Sequence, residues 1–296
     1  MACYKPISGW YSETRKEISF KKPAYPAESI QLPCGRCIGC KLDVSKGWAL
    51  RCTHEAMLHE DNCFITLTYD DYSLPRIGGH PTLYKPDFKN FIKRARNHLP
   101  KFRYVMCGEY GDENDRPHYH ALLFGVDFPD RKYLKKTDSG HRLDTSETLD
   151  MLWGNGHTYV GDMSFDTAAY VARYTLKKVT GDLAKEHYAR VDVDTAEITY
   201  IQPEYATRSN RPGIGHDWFT RYMNDVYPKD FVTSGGHKIK PPRYYDILFE
   251  RFDNDIGNIK VKRKEHARKN KADNTPERLE QREEVKRAQT RTLRRK

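Results

Sequence analysis

The sequence predicts an α+β fold, a central antiparallel β-sheet flanked by helices, with an N-terminal cysteine-rich section that binds zinc. Three observations predict it. Segments rich in β-branched and aromatic residues, such as Cys63 to Tyr69, are interleaved with segments whose apolar residues recur at helical spacing. Turn-rich connections between neighbouring strand segments follow antiparallel hairpin logic. Cys34, Cys37 and Cys40 stand three apart in a section too small to fold on its own core.

Residues 1 to about 58 are rich in Cys, Pro and Lys and end in a helix expected around Ser45 to Leu58. Cys63 to Tyr69 reads as a strand, and Asp70-Asp71 and Gly78-Gly79 mark the loop after it. Pro86 opens a helix on which Phe88, Phe91, Ile92, Ala95 and Leu99 share one face. Phe102 to Cys107 is a second strand. The turn residues Gly111 to Pro117 lead into a third, His118 to Val126. A helix around Ser146 to Trp153 starts from the capping-box pattern Asp144-x-x-Glu147. A short strand, His157 to Val160, follows, and Ser164 caps a helix carrying Tyr170 and Tyr174. Residues 181 to about 258 show no clear pattern. Beyond Lys260 the charge-dense composition suggests a mobile arm or a solvated helix.

The 296-residue chain has 38% hydrophobic and 31% charged residues, 20 tyrosines and a formal net charge of +10. Most of that charge is local: Lys260 to Lys296 hold 15 Lys+Arg against 6 Asp+Glu, leaving about +1 on the rest. A near-neutral body with a basic tail points to an anionic polymer or surface as partner, a tail kept for solubility being the plainer reading. No apolar run approaches the roughly 20 residues of a membrane span, and Met1 to Pro6 contain no apolar core of a signal peptide. Seven cysteines fit a reducing cytoplasm better than a disulfide framework.

Two constellations carry chemistry. His118 and His120 flank one bulky residue on a strand, so both imidazoles face the same way and can reach one divalent ion. If the hairpin turns through 110–117, Glu109 lies opposite His118 on the same face and is the third ligand. Such a His/carboxylate site suits Mg²⁺, Mn²⁺ or Zn²⁺ with positions open to phosphate oxygens. On the later helix, Ala168, Val171, Ala172 and Thr175 form a stripe small enough to pack on a sheet. Tyr170, Tyr174, Lys177 and Lys178 fall on the opposite stripe.

A phenol, with a pKa near about 10, is a poor nucleophile at neutral pH. A metal on the scissile phosphate and a cation such as Lys177 favour the phenolate and the transition state. Attack leaves a 5′-phosphotyrosine and a free 3′-hydroxyl, and the conserved bond energy allows rejoining.

The second constellation is Cys34-x-x-Cys37-x-x-Cys40, with Cys3 or Cys52 as fourth ligand. Cys3 is preferred because Cys52 lies on a helix leading away. Structural Zn²⁺ is the expected occupant, with unliganded thiols and an iron–sulfur cluster as alternatives. A ferredoxin-type cluster wants a further cysteine four positions after Cys40, where this chain has Val44. The Arg208 to Gly215 loop can cradle a phosphate with backbone amides and two guanidiniums, Arg208 and Arg211, or be a plain basic turn. No Gly-x-x-x-x-Gly-Lys-[Ser/Thr] occurs, so no P-loop helicase is expected.

Together these motifs resemble the HUH endonucleases, and more closely the replication initiators of gokushovirus-type microviruses. The resemblance rests on Phe64 to Tyr69, on Cys107-Gly108-Glu109-Tyr110-Gly111 with Arg116 to His120, and on Tyr170-Val171-Ala172-Arg173-Tyr174-x-x-Lys177-Lys178. Pro33 to Cys40 and Arg211 to Gly215 also look like that family, so coverage runs from about residue 30 to 220. The resemblance implies an HUH-type fold and rolling-circle replication of a circular phage genome in the cytoplasm of a bacterial host. It implies that His118 and His120 hold Mg²⁺ or Mn²⁺, that Tyr170 and Tyr174 are the nucleophiles, and that Arg173 stands where related enzymes often have Lys. Single-stranded and origin DNA are the expected partners, with Arg173, Lys178, Arg208 and Arg211 as contacts and host helicase and DNA polymerase implied. The expected organisation is a zinc section (1–58), a nuclease core (59–180), an accessory DNA-contact region (181–259) and a basic tail (260–296). A relaxase or transposase of the same superfamily, a non-catalytic zinc-containing DNA-binding protein, and a metallohydrolase of small phosphoesters are the other readings.

Overall fold

The computed structural model describes residues 3–12, 17–111, 114–137, 140–173, 178–192, 195–252 and 255–293. The chain divides into two compact units, residues 1–44 with 255–296, and residues 45–254. In the smaller unit β1 (Ile7–Tyr11) pairs antiparallel with both β2 (Ile18–Ser19) and β3 (Ser29–Leu32). Helix α1 (Ile38–Ala56) follows. It starts seven residues earlier than the pattern around Ser45 suggests, so Cys40 lies in its first turn.

The larger unit continues with β4 (Asn62–Tyr69), the short hairpin β5 (Arg76–Ile77) and β6 (His80–Pro81), and α2 (Lys85–His98). Next come β7 (Arg103–Tyr110), β8 (Pro117–Phe124), β9 (Lys132–Lys136), β10 (Arg142–Thr145), α3 (Glu147–Trp153), β11 (Gly156–Asp162) and α4 (Phe165–Ala172). Then follow α5 (Leu183–Tyr188), β12 (Ala189–Val191), β13 (Ile198–Tyr200), β14 (Tyr205–Arg208), α6 (His216–Val226), β15 (Val232–Ser234), β16 (His237–Ile239) and α7 (Arg243–Arg251). Beyond it the chain is helical in α8 (Gly257–Lys269) and α9 (Pro276–Leu293), the solvated-helix alternative for this basic stretch. Among the described residues no helix is long and apolar enough to cross a membrane.

Seven strands form one sheet in the order β14-β7-β8-β4-β11-β10-β9, and every neighbouring pair is antiparallel. The fold is thus the α+β class the sequence predicts. Side chains alternate between the two faces, and helices cover both. On one face Ile65, Leu67, Tyr69, Met106, Tyr119, Ala121 and Leu123 pack against Phe88, Phe91, Ile92 and Ala95 of α2 and Leu149, Leu152 and Trp153 of α3. Burying each large apolar side chain there contributes about 1.5–3 kcal/mol. On the other face Val105, Cys107, Leu122 and Phe124 meet Ala49 and Cys52 of α1 and Ala168 and Val171 of α4.

Tyr119, the residue between the two histidines of β8, faces α2 and is fully buried. Its hydroxyl donates to Tyr84 O at 2.9 Å, accepts from Tyr84 N at 3.1 Å and meets the Tyr69 hydroxyl at 2.9 Å. Tyr69 in turn donates to Asp87 Oδ2 at 2.7 Å in the first turn of α2. The network ties the N-terminus of α2 to the back of the histidine strand. Gly108 makes room for it, because a β-carbon there would stand 3.0 Å from the rings of both Tyr119 and Tyr205.

Two local expectations change. Ser146, not Asp144, caps α3: its hydroxyl accepts from Leu149 N at 3.1 Å. Asp144 lies opposite Val160 in the sheet, fully buried, and is paired with Arg131 Nε at 2.7 Å and Arg142 Nε at 2.6 Å. Burial opposes its charge, but the bonds from Arg142 and Arg131 outweigh it and hold the carboxyl below the usual range. The β9–β10 hairpin escaped the sequence pattern because all five residues of β9 are exposed and three are lysines, leaving no apolar alternation to read.

Tyr119→Phe should cost about 1–3 kcal/mol in a denaturant titration, since it strips the buried Tyr84 N–H of its acceptor. An unchanged midpoint would mean that the network does not hold α2 to the sheet.

Candidate functional site

The site lies on the face of the sheet covered by α1 and α4. The β7–β8 register sets Glu109 opposite His118 and Cys107 opposite His120, and β4 sets Thr66 opposite His120. Directly paired residues in antiparallel strands share a face, so Glu109, His118 and His120 converge. Their candidate ligand atoms all lie within 4.8 Å of one another. His118 Nε2 is 3.3 Å and His120 Nε2 3.5 Å from the same oxygen, Glu109 Oε1. Two atoms bound at about 2.1 Å to one ion stand roughly 3.0–3.4 Å apart, so the spacing fits a shared divalent cation. Glu109 is 2% exposed and His120 7%. A carboxylate buried to that extent demands compensating charge or donors.

The imidazoles are aimed by groups that the sequence pattern does not single out. His118 Nδ1 is 3.1 Å from the backbone carbonyl of Arg116, which can only accept, so Nδ1 carries the proton and Nε2 keeps its lone pair. His120 Nδ1 is 3.0 Å from Thr66 Oγ1. Phe64 lies nearly parallel to the His120 ring, with centroids 5.4 Å apart. A signal is present in the sequence, since Phe64 and Thr66 alternate on a recognisable strand. Only the order of strands in the sheet reveals that they touch His120.

Tyr170 completes the group. Its hydroxyl donates to Glu109 Oε1 at 3.1 Å, and its ring meets His120 edge-on with centroids 4.9 Å apart. Helix α4 puts it there through local chemistry. Ser164 and Thr167 form a reciprocal capping box, and Ala168 and Val171 bury completely, letting the helix approach closely. Tyr170 therefore borders the packed stripe, 40% exposed, instead of standing opposite it.

Of the other expected residues, Tyr174 and Lys177 lie outside the described residues. Arg173 caps α4, with its guanidinium 5.9 Å from the Tyr170 ring centroid. Lys178 is half-buried. Arg208 ends β14, with its guanidinium 4.5 Å from the Trp48 ring centroid. Arg211 is exposed in the following loop. The Gly215 N–H of that loop donates to buried Glu55 Oε2 at 2.7 Å, so this amide is committed to the fold.

In the smaller unit Cys3, Cys34, Cys37 and Cys40 form a second group whose sulfurs lie within 4.8 Å of one another. Cys52 is instead packed among Ala49, Val105 and Leu122 in the larger unit. Cys3 and Cys37 sulfurs are 3.9 Å apart, close to the roughly 3.8 Å edge of a tetrahedron with Zn–S bonds of about 2.3 Å. Backbone N–H groups of Tyr4, Cys34 and Cys37 point at Cys37, Cys3 and Cys34 sulfurs at 3.2–3.3 Å. Burial opposes the Cys37 thiolate, but the amides of Cys40 and Tyr4 bring its pKa down to about 7. The donor set could hold a metal ion, and four sulfurs suit zinc.

Comparison with known proteins decides the family. The family model of the phage replication-associated protein ORF2 matches residues 62–179, which hold all of Glu109, His118, His120 and Tyr170. The replication-associated protein VP4 of Bdellovibrio phage phiMH2K is 31% identical over 283 residues, covering 90% of this chain and 84% of that protein. The chain belongs to this family of phage replication-associated proteins. Another relative, the replication-associated protein ORF2 of Spiroplasma virus 4, is 28% identical across 91% of the chain and 88% of its own length. The replication-associated protein ORF4 of Chlamydia phage 1 is 30% identical across 75% of the chain and 54% of its own length. No solved structure matches the chain. Family membership agrees with the microvirus-type resemblance carried by the histidine, tyrosine and cysteine motifs.

Proposed function

We propose that this replication-associated protein serves phage genome replication as a site-specific single-strand DNA endonuclease and ligase, starting and ending rolling-circle replication through a 5′-phosphotyrosyl intermediate. One observation carries the reading. The Tyr170 hydroxyl is bonded to the same Glu109 oxygen on which the Nε2 atoms of His118 and His120 converge. A nucleophile thus borders a cluster suited to Mg²⁺ or Mn²⁺. A divalent ion held by Glu109, His118 and His120 would neutralise charge on the scissile phosphate.

The residues themselves supply the rest. Tyr170 Oη attacks phosphorus, a tyrosyl O–P bond forms, and the bond from phosphorus to the 3′-oxygen breaks. The phenol gives up one proton, initially directed at Glu109 Oε1, and the departing 3′-oxygen gains one, leaving a hydroxyl able to prime synthesis. Thr66 and the Arg116 carbonyl hold the imidazoles in register throughout. Attack by a 3′-hydroxyl on the phosphotyrosine reverses the step and closes the strand. Tyr174 is the second nucleophile in this scheme, and Lys177 the cation that favours the phenolate.

The partner is single-stranded origin DNA, met in the cytoplasm of a bacterial host. The net +9 carried by Lys260 to Lys296 adds salt-dependent affinity that ignores sequence. Strand separation and synthesis fall to host helicase and polymerase. The cysteine cluster holds structural Zn²⁺, and the regions 1–58, 59–180, 181–259 and 260–296 serve as zinc section, nuclease core, DNA-contact region and basic tail. The phage replication relatives favour a replication initiator over a relaxase or transposase with the same site.

Incubation with Mn²⁺ and labelled single-stranded origin DNA, followed by denaturation, should give a covalent protein–DNA adduct that chelator abolishes. The adduct should persist in part in Tyr170→Phe and in Tyr174→Phe and vanish in the double variant. Retention in the double variant would exclude the tyrosines, and no adduct with any metal would favour a binding protein. Elemental analysis of the purified chain should find about one zinc per chain, lost in Cys34→Ser/Cys37→Ser. Full zinc content in that variant would exclude the cluster.

A further inference from the structure

A cavity of about 470 Å³ opens in the larger unit, away from the histidine cluster, between the loop that follows β14 and helix α7. Its lining includes Arg211, His216, Tyr244, Arg251 and Phe252, and no Asp or Glu stands among the lining residues. The volume falls within the roughly 300–1,000 Å³ of small-ligand sites. We infer that this cavity is a subsite for one nucleotide of single-stranded DNA, its phosphate facing Arg211 and Arg251 and its base stacked on Phe252 and Tyr244. The inference rests on the proposed action on single-stranded DNA and adds where that strand is gripped.

The pocket is built rather than incidental. Beneath the loop the Arg103 guanidinium donates to Pro212 O, and Arg51 Nε donates to Ile214 O at 3.0 Å. The guanidinium of Arg51 lies 3.9 Å from the Tyr244 ring centroid and 4.0 Å from that of Trp48. These interactions fix the loop backbone and one of the two aromatic walls from within the fold. Gly213 is required there, because a β-carbon would collide with the Tyr244 hydroxyl. Arg211, Arg251 and Phe252 are meanwhile exposed toward the cavity mouth.

A track links the pocket to the chemistry. Arg208 pairs with Val105, four residues along β7 from Glu109 and on the same face of the sheet. Arg208 and Arg51 both lie over Trp48, and Arg51 also lies over Tyr244, which lines the cavity. Cations alternating with aromatic faces are the chemistry that follows an unpaired strand, whose bases are free to stack. A duplex, with its bases stacked on each other, has no single base to place in such a cavity.

The test reads binding of a labelled mixed-sequence DNA strand to the full chain by fluorescence anisotropy across salt, with chelator present. Phe252→Ala should weaken binding about fivefold or more with an unchanged salt slope. Arg211→Gln/Arg251→Gln should weaken it and lower the slope of log K against log salt by about 0.7 for each phosphate no longer neutralised. Lys89→Gln/Lys93→Gln, on α2 across the sheet, should leave both quantities unchanged. Wild-type binding in the pocket variants, or an equal loss in the α2 pair, would overturn the subsite. Chelator keeps the readout separate from nicking, so a chain that forms no adduct can still pass or fail this test.

Discussion

A single buried carboxylate organises this molecule. Glu109, 2% exposed, cannot sit charged in the interior of a sheet without strong compensation, and three groups turn toward one of its oxygens. They arrive from two elements distant in sequence: the histidines from β8 and the tyrosine from α4. Each arrives because of ordinary folding physics, strand register for the imidazoles and a capped helix with small packing residues for the phenol. A divalent cation at the centre of the group would replace a crowded set of donors with a coordinated one. That is why the same residues read as a nuclease site.

The rest of the larger unit supports that geometry from both sides. Behind β8 the Tyr119 hydroxyl network fastens α2, so the histidine strand is held against a rigid layer. In front, Ala168 and Val171 of α4 meet Leu122 and Phe124 of β8, two and four residues beyond His120. The alternation of β8 thus assigns His118, His120, Leu122 and Phe124 to one layer and Tyr119, Ala121 and Leu123 to the other. Any slip of register by one residue would exchange the layers and scatter the site.

The legible part of the fold is the part whose side chains alternate between a buried and a polar environment. The helix with Phe88, Phe91, Ile92 and Ala95, the strand from Cys63 to Tyr69 and the hairpin around residues 110–117 all show such patterns, and Glu109 can be placed opposite His118 by counting across the turn. Cys3 joins the cluster, in keeping with the direction of the helix that carries Cys52 away. Other features depend on long-range pairing that no local pattern records. Strand β14 is four residues long, with none fully buried, and becomes a strand because β7 offers it an edge. Asp144 has the spacing of a helix cap relative to Glu147, yet the sheet draws it inside between two arginines. Thr66 and Phe64 become site residues only because β4 lies beside β8.

The most direct test of the central claim is spin-echo spectroscopy of Mn²⁺ bound to the full chain, which reads the nitrogens coordinated to the ion. The account predicts coupling to two imidazole nitrogens, falling to one in either His118→Ala or His120→Ala, and weakened binding in Glu109→Ala. An ion without nitrogen coupling, or coupling unchanged by both histidine substitutions, would contradict it.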